Sequence, residues 1–92
     1  MIEDIVGCKW SLTILDLVSR GVLRPGAMQK QVTGLTTKVL NERLKKLVRF
    51  RILDRRVFAE VPPHVEYVLT AFGARFNAIL REIAKLNDSN AR

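Results

Sequence analysis

The stretch from residue 35 to residue 67 constrains the fold of this 92-residue chain more than any other. It opens with leucines at helical spacing, continues through a basic run, and ends in two β-forming segments separated by Pro62-Pro63. Proline lacks the backbone donor that a strand ladder needs, so residues 61–64 are predicted to form a turn. The sequence therefore predicts a helix followed by a two-stranded β-hairpin.

Positive charge is concentrated in the same stretch. Residues 36–56 hold eight basic and two acidic side chains, which accounts for six of the chain's formal net charge of +7. A localised charge of this kind indicates a polyanionic partner such as nucleic acid. The alternative is a solvated basic face that has no partner.

Two helices are predicted before this stretch. Apolar residues at helical spacing place the first at Lys9–Ser19, with Trp10 as a core anchor and Gly21 ending it. Residues 22–24 are expected to be extended. Pro25 suits the first turn of a second helix, predicted over residues 25–32.

The third helix is predicted to begin after Thr36, whose hydroxyl can cap it, and to run to about Phe50. Its leucines form one stripe that must face the core. The far side then carries Lys38, Glu42, Lys45 and Arg49, with Thr37 and Asn41 on a flank. A polar, positive outer face of this kind is what a helix reading the major groove needs.

A final helix is predicted over residues 71–86, and its apolar stripe is longer than the hairpin beneath it requires. Such a stripe in a chain with a small core indicates a subunit interface. The alternative is that the whole stripe packs on its own domain. The predicted interface residues, including two from a short helical segment at the start of the chain, are Ile2, Ile5, Phe72, Phe76, Ile79, Leu80 and Ile83.

The predicted fold class is mainly α with a small β-hairpin, arranged as a winged helix-turn-helix with extra N- and C-terminal helices. Residues 1–92 are expected to form one domain, with a core over 7–83 and a disordered polar tail over 87–92. No apolar run approaches the length of about 20 residues that a membrane span needs. No metal-ligand spacing, phosphate-binding loop or catalytic triad is present, so we expect neither an enzyme nor a cofactor.

Three strings carry a resemblance to a known family. They are GCKWSL from Gly7, GLTTKVL from Gly34, and EVPPHVEY from Glu60 followed by Leu69-Thr70 and Gly73. Together they resemble the HxlR family of bacterial transcriptional regulators, whose fold is that of the MarR group. The resemblance implies a cytoplasmic, homodimeric regulator that binds double-stranded DNA and pairs mainly through its terminal helices.

This chain departs from the family pattern at two places in the same region. His64 stands where the family usually has arginine at the tip of the wing. Arg51 stands where a glycine normally ends the recognition helix, and a positive φ there would cost about 1 kcal/mol for a residue with a Cβ.

Candidate DNA contacts follow from the chemistry of each side chain. Asn41 can bond adenine through two atoms, Lys38 and Lys45 can reach guanine or phosphate, and Glu42 can accept from cytosine. Because side chains alternate along a strand, Arg55 and Arg56 cannot both face DNA, and we favour Arg56. The full predicted set is Thr36, Thr37, Lys38, Asn41, Glu42, Arg43, Lys45, Arg56 and His64.

Cys8 is the only cysteine, so the chain cannot form an intrachain disulfide. It lies where a helix begins, beside Lys9, and both features favour a reactive thiolate. A redox role is therefore possible on chemical grounds, although the oxidant-sensing cysteine of some family members lies further upstream. The alternative is a small buried residue beside Trp10.

A second function remains open for the whole chain. A winged helix can also act as a protein-interaction module, in which the basic face docks an acidic partner. RNA binding is less favoured, because the aromatic residues are placed inward by their spacing rather than on an exposed stacking platform.

Overall fold

The computed structural model describes residues 9–90 of the protein, with side chains as far as Leu86. The helices and strands, in chain order, are α1 (Lys9–Ser19), α2 (Pro25–Gln31), α3 (Thr37–Arg49), β1 (Leu53–Phe58), β2 (His64–Leu69) and α4 (Ala71–Asn90). Helices followed by an antiparallel hairpin and a long terminal helix confirm the predicted winged helix-turn-helix. The first two helices begin where the sequence placed them, and α2 ends one residue earlier than expected.

Apolar side chains from all three leading helices meet in one core. The leucine stripe of α3 is buried, as its spacing predicts, and it packs with residues of α1, α2 and the start of β1. These residues are no more than 1% exposed: Ile14, Leu15, Leu17, Met28, Leu40, Leu44, Leu47, Ile52 and Leu53. Burial of this stripe fixes the rotation of α3 and turns its polar side outward.

The two ends of α3 are capped in different ways. At the start, the Thr36 hydroxyl accepts a hydrogen bond from the Val39 amide at 3.2 Å, which confirms the predicted cap. At the end, Arg51 adopts φ 60° and donates its amide to the Val48 carbonyl at 2.9 Å. A left-handed residue closes many helices, but with a side chain it costs about 1 kcal/mol more than glycine.

The corner at Arg51 also positions the start of α4. The Thr70 hydroxyl donates to the Arg51 carbonyl and accepts from the Gly73 amide at 2.8 Å. A Cβ on Gly73 would lie 1.9 Å from the Ile52 carbonyl oxygen, so only glycine fits there. The Thr70 and Gly73 pair therefore locks α4 against the chain segment that leaves α3.

The hairpin pairs β1 with β2 in antiparallel register, from Leu53 opposite Leu69 to Phe58 opposite His64. His64 is therefore the first residue of β2, and the prediction that it lies in the turn was wrong. Only positions 62 and 63 lack the backbone donor. The His64 backbone keeps its donor and can therefore join the strand. The Tyr67 amide donates to the Leu23 carbonyl at 2.9 Å, so the extended segment before α2 lies along β2.

The terminal helix extends further than the sequence predicted. Its backbone is helical to Asn90, which corrects the prediction of a disordered tail for residues 87–90. Polar composition is typical of a disordered tail, but polar residues also continue a helix that is already nucleated. Within residues 9–90, no helix is both long and apolar enough to cross a membrane.

Candidate nucleic-acid interface

The outward side of α3 is polar and mostly basic. Because the leucine stripe faces the core, the side chains predicted to read DNA are exposed along the opposite side: Lys38, Asn41, Glu42, Lys45 and Arg49. Arg43 differs from them, since it is half-buried on the other flank of the helix. Its position makes it less available to a partner than the sequence suggested.

The first turn of α3 is connected to α2 by a glutamine. Gln29 Nε2 donates to the Thr37 hydroxyl at 3.1 Å and to the Leu35 carbonyl at 3.3 Å. The Thr36 hydroxyl is already engaged in capping. Both threonines are exposed, and each keeps its hydroxyl proton available for a phosphate oxygen. No local pattern predicts this role for Gln29, because it depends on the angle between the two helices.

A cleft of about 400 Å³ separates α3 from the hairpin. Asn41, Lys45 and Val48 line it from the helix, and Arg55 and Tyr67 line it from the two strands. Arg55 and Tyr67 are direct cross-strand partners and so lie on the same face of the hairpin. The cleft therefore joins two basic side chains that are ten residues apart in the chain.

Arg56 lies on the opposite face of the hairpin, because neighbouring side chains of a strand point to opposite sides. Its cross-strand partner is Glu66. The sequence favours Arg56 as the arginine that faces DNA, whereas Arg55 is the one that lies beside α3; which of the two contacts DNA stays a prediction. The alternation was visible in the sequence, but which arginine faces α3 depends on the rotation of the strand, and no local signal fixes that rotation.

The face that holds Arg56 also carries a network centred on His64. The His64 ring stacks on Phe58 with centroids 4.6 Å apart, and its Nδ1 lies 3.1 Å from a Glu60 carboxylate oxygen. Its Nε2 lies 3.4 Å from Glu66 and 3.3 Å from an Arg24 guanidinium nitrogen. With the side chain only 16% exposed, His64 ties the hairpin to the segment before α2 and does not project from the tip.

The apolar stripe of α4 divides into two sides. Phe76 is 9% exposed and belongs to the hydrophobic core of the chain itself, so its assignment to a subunit interface was wrong. Leu80 is half-buried against the same core. The open side is formed by residues that are between 47% and 72% exposed, namely Phe72, Ile79, Ile83 and Leu86.

Three predicted residues, Ile2, Ile5 and Cys8, lie outside the described residues. Among residues 9–90, no group of three or more histidine, cysteine or acidic side chains is arranged to hold a metal ion.

Comparison with known proteins places the chain in a family. Residues 5–92 match the family model described as HxlR-like helix-turn-helix. The chain belongs to this HxlR-like family. The family's fold agrees with the arrangement of α1 to α4 and the hairpin.

Several relatives of this chain are named as transcriptional regulators. It is 36% identical over 85 residues to the uncharacterised HTH-type transcriptional regulator sll1512 of Synechocystis sp. strain PCC 6803, covering 92% of this chain and 63% of that protein. It is 31% identical over 77 residues to the uncharacterised HTH-type transcriptional regulator YtcD of Bacillus subtilis, covering 84% and 61%. The chain thus spans less than two thirds of the length of these relatives.

Solved structures of two regulators resemble the HxlR-like chain over most of its length. The reduced form of the transcriptional regulator YodB from B. subtilis superposes with a TM-score of 0.82 at 29% identity, covering 92% of this chain and 83% of that one. The oxidised form of the redox regulator HypR superposes with a TM-score of 0.83 at 28% identity, covering 96% and 91%.

Proposed function

We propose that this chain is a sequence-specific DNA-binding transcriptional regulator that acts in the cytoplasm by binding rather than by catalysis. The observation that carries the proposal is the outward face of α3. Its polar and basic side chains are exposed because the leucine stripe behind them is buried. Membership of the HxlR-like family and the names of its relatives support the same conclusion.

When α3 enters the major groove, the side chains on its exposed face contact the bases. Asn41 can bond N6 and N7 of an adenine together, and Glu42 can accept from N4 of a cytosine. Lys38, one turn before Glu42, can donate to guanine O6 or to phosphate. The hydroxyls of Thr36 and Thr37 reach the phosphates beside the start of the helix.

The two faces of the hairpin differ in what they offer to DNA. Arg56 lies on the outer face across from Glu66, whose carboxylate offsets its charge, so we expect it to add little to DNA binding. His64 acts differently from the family's wing-tip arginine, since it packs on Phe58 and between carboxylates. Its role in this proposal is to hold the hairpin in place.

Two copies are expected to act together. The open side of α4 leaves four large apolar side chains, including Ile79 and Ile83, more than 45% exposed on one helix. Pairing with the same surface of a second copy would bury them around a two-fold axis. A dimer of winged helices binds two half-sites about one helical turn apart, roughly 10 base pairs, in a pseudo-palindrome.

The experiment that tests this function is a titration of labelled duplex with the wild-type chain and with K38A and N41A at low salt. A DNA reader loses sequence preference in N41A while its circular dichroism spectrum stays unchanged. A module that docks an acidic partner by charge responds to K38A and barely to N41A. Absence of duplex binding by the wild-type chain would contradict the proposed function.

A further inference from the structure

We infer that the cleft between α3 and the hairpin is a clamp for one DNA backbone phosphate, with Arg55 and Lys45 as its cations. This inference rests on the proposed function. It assigns a role to Arg55 that the sequence had given to Arg56. It also makes Lys45 a contact to the DNA backbone, whereas the residues nearer the start of α3 contact bases.

The composition of the cleft suits an anion. Its lining holds two cations, the Asn41 amide and the Tyr67 phenol, with Val48 as the apolar wall, and no carboxylate. Neither Arg55 nor Lys45 forms an ion pair within the part of the chain that the structure describes. Both side chains are exposed, so their charge is available to a ligand that enters from solvent.

The position of the cleft matches the path of the DNA backbone. A helix in the major groove has a line of phosphates along each edge of that groove, and a hairpin beyond the edge must straddle one of these lines. The space between helix and hairpin is where the backbone crosses the protein. Arg55 offers a planar fork that bonds two phosphate oxygens at once, and Lys45 adds a second positive charge from the facing element.

The opposite face of the hairpin has a different electrostatic character. Arg56 stands directly across from Glu66, which also lies 3.7 Å from Arg24 and 3.4 Å from His64. The carboxylates there offset the positive charge locally. Arg56 therefore lies near carboxylates, whereas Arg55 lies in a cleft lined by none. The cleft side of the hairpin is the better site for a phosphate.

The test is the salt dependence of duplex affinity for wild-type protein, R55A and R55K. Each phosphate neutralised contributes about 0.9 to the slope of log K against log salt, so R55A, which leaves Lys45 on the same phosphate, should lower that slope measurably and by no more than about 0.9. Its affinity should fall by about 10-fold on every sequence tested, because a charged hydrogen bond is lost without loss of base readout. R55K keeps the charge and should keep the slope.

R56A is the matched control, since it removes the same charge from the next residue of β1, and it should change the slope clearly less than R55A does. Equal slopes for R55A and wild type, or a larger change in R56A, would overturn the clamp while leaving DNA binding intact. Failure of the wild-type chain to bind any duplex would instead overturn the proposed function. Circular dichroism of each variant separates a lost contact from a lost fold.

Discussion

The helices α3 and α4 are both amphipathic, yet the fold uses their apolar residues in opposite ways. In α3 the leucine stripe is completely covered, with Leu40, Leu44 and Leu47 no more than 1% exposed. In the apolar stripe of α4 only Phe76 is buried, while Ile79 and Ile83 remain more than half exposed. One helix therefore presents a polar surface to its surroundings, and the other presents an apolar one.

This difference separates two kinds of contact within one small chain. A covered stripe leaves only the charged and amide groups of α3 for a partner, which suits a polyanion. An open apolar row along α4 suits a second apolar surface, because large exposed patches of this type mark interaction sites.

The largest effect is expected from L47A in the covered stripe of α3. Leu47 is 0% exposed, and removing a buried leucine side chain costs about 2–5 kcal/mol. That loss is a large share of the roughly 5–15 kcal/mol by which domains are stable. Chemical denaturation at fixed protein concentration measures it. A change of less than about 1 kcal/mol would mean that the stripe is not the core of the domain.

A charge in the open row of α4 should separate the two copies without unfolding either. In I83E a carboxylate replaces a side chain that is 51% exposed in the protomer, so the monomer tolerates it while a paired surface does not. Light scattering should report a monomeric mass with an unchanged helical spectrum.

K85E is the control for I83E, because Lys85 is exposed on another side of the same helix and, among the residues described, its ion pair is the exposed one with Glu82. It should leave the mass unchanged. A monomeric wild-type protein at micromolar concentration, or a dimeric I83E, would contradict the assignment of this row to the interface.

A substitution on the polar side of α3 should alter recognition more than stability. Asn41 is exposed, so N41A leaves the core intact. Loss of a two-atom contact with adenine should reduce discrimination at that base pair by about 1–3 kcal/mol. Competition between the preferred duplex and a single-base variant measures this difference. Unchanged discrimination would remove Asn41 from the reading set.

The smallest effect is expected from the ion pairs behind the hairpin. E66Q removes the charge that faces Arg24 and His64 but keeps the size of the side chain, and exposed or half-exposed pairs contribute about 0–1 kcal/mol. Thermal unfolding should shift only slightly. D54N, which changes a charge on the same face of β1, is the control, and an equal response would show that the network adds nothing specific.

Local signals in the sequence were sufficient for most of the fold. The leucine spacing of α3, the Thr36 cap and the Pro62-Pro63 turn each act within a few residues, and the structure confirms them. The positive φ of Arg51 also follows from its place at the end of the helix. These features could be predicted because their causes lie next to them in the chain.

Features that depend on how distant elements meet were harder to predict. The sequence showed that Arg55 and Arg56 alternate, but the rotation of β1 relative to α3 decides which one lines the cleft. The periodicity of α4 could not show that Phe76 faces its own core while Ile79 does not. The position of the prolines does not show that His64 joins β2, where its ring stacks on Phe58.

The most direct test of the central claim is selection of bound duplexes from a random pool with the wild-type chain, followed by protection mapping of the selected site. The account predicts a pseudo-palindrome whose half-sites lie about 10 base pairs apart, each protected in the major groove where α3 enters. Enrichment of a single asymmetric half-site, or of no sequence at all, would contradict it.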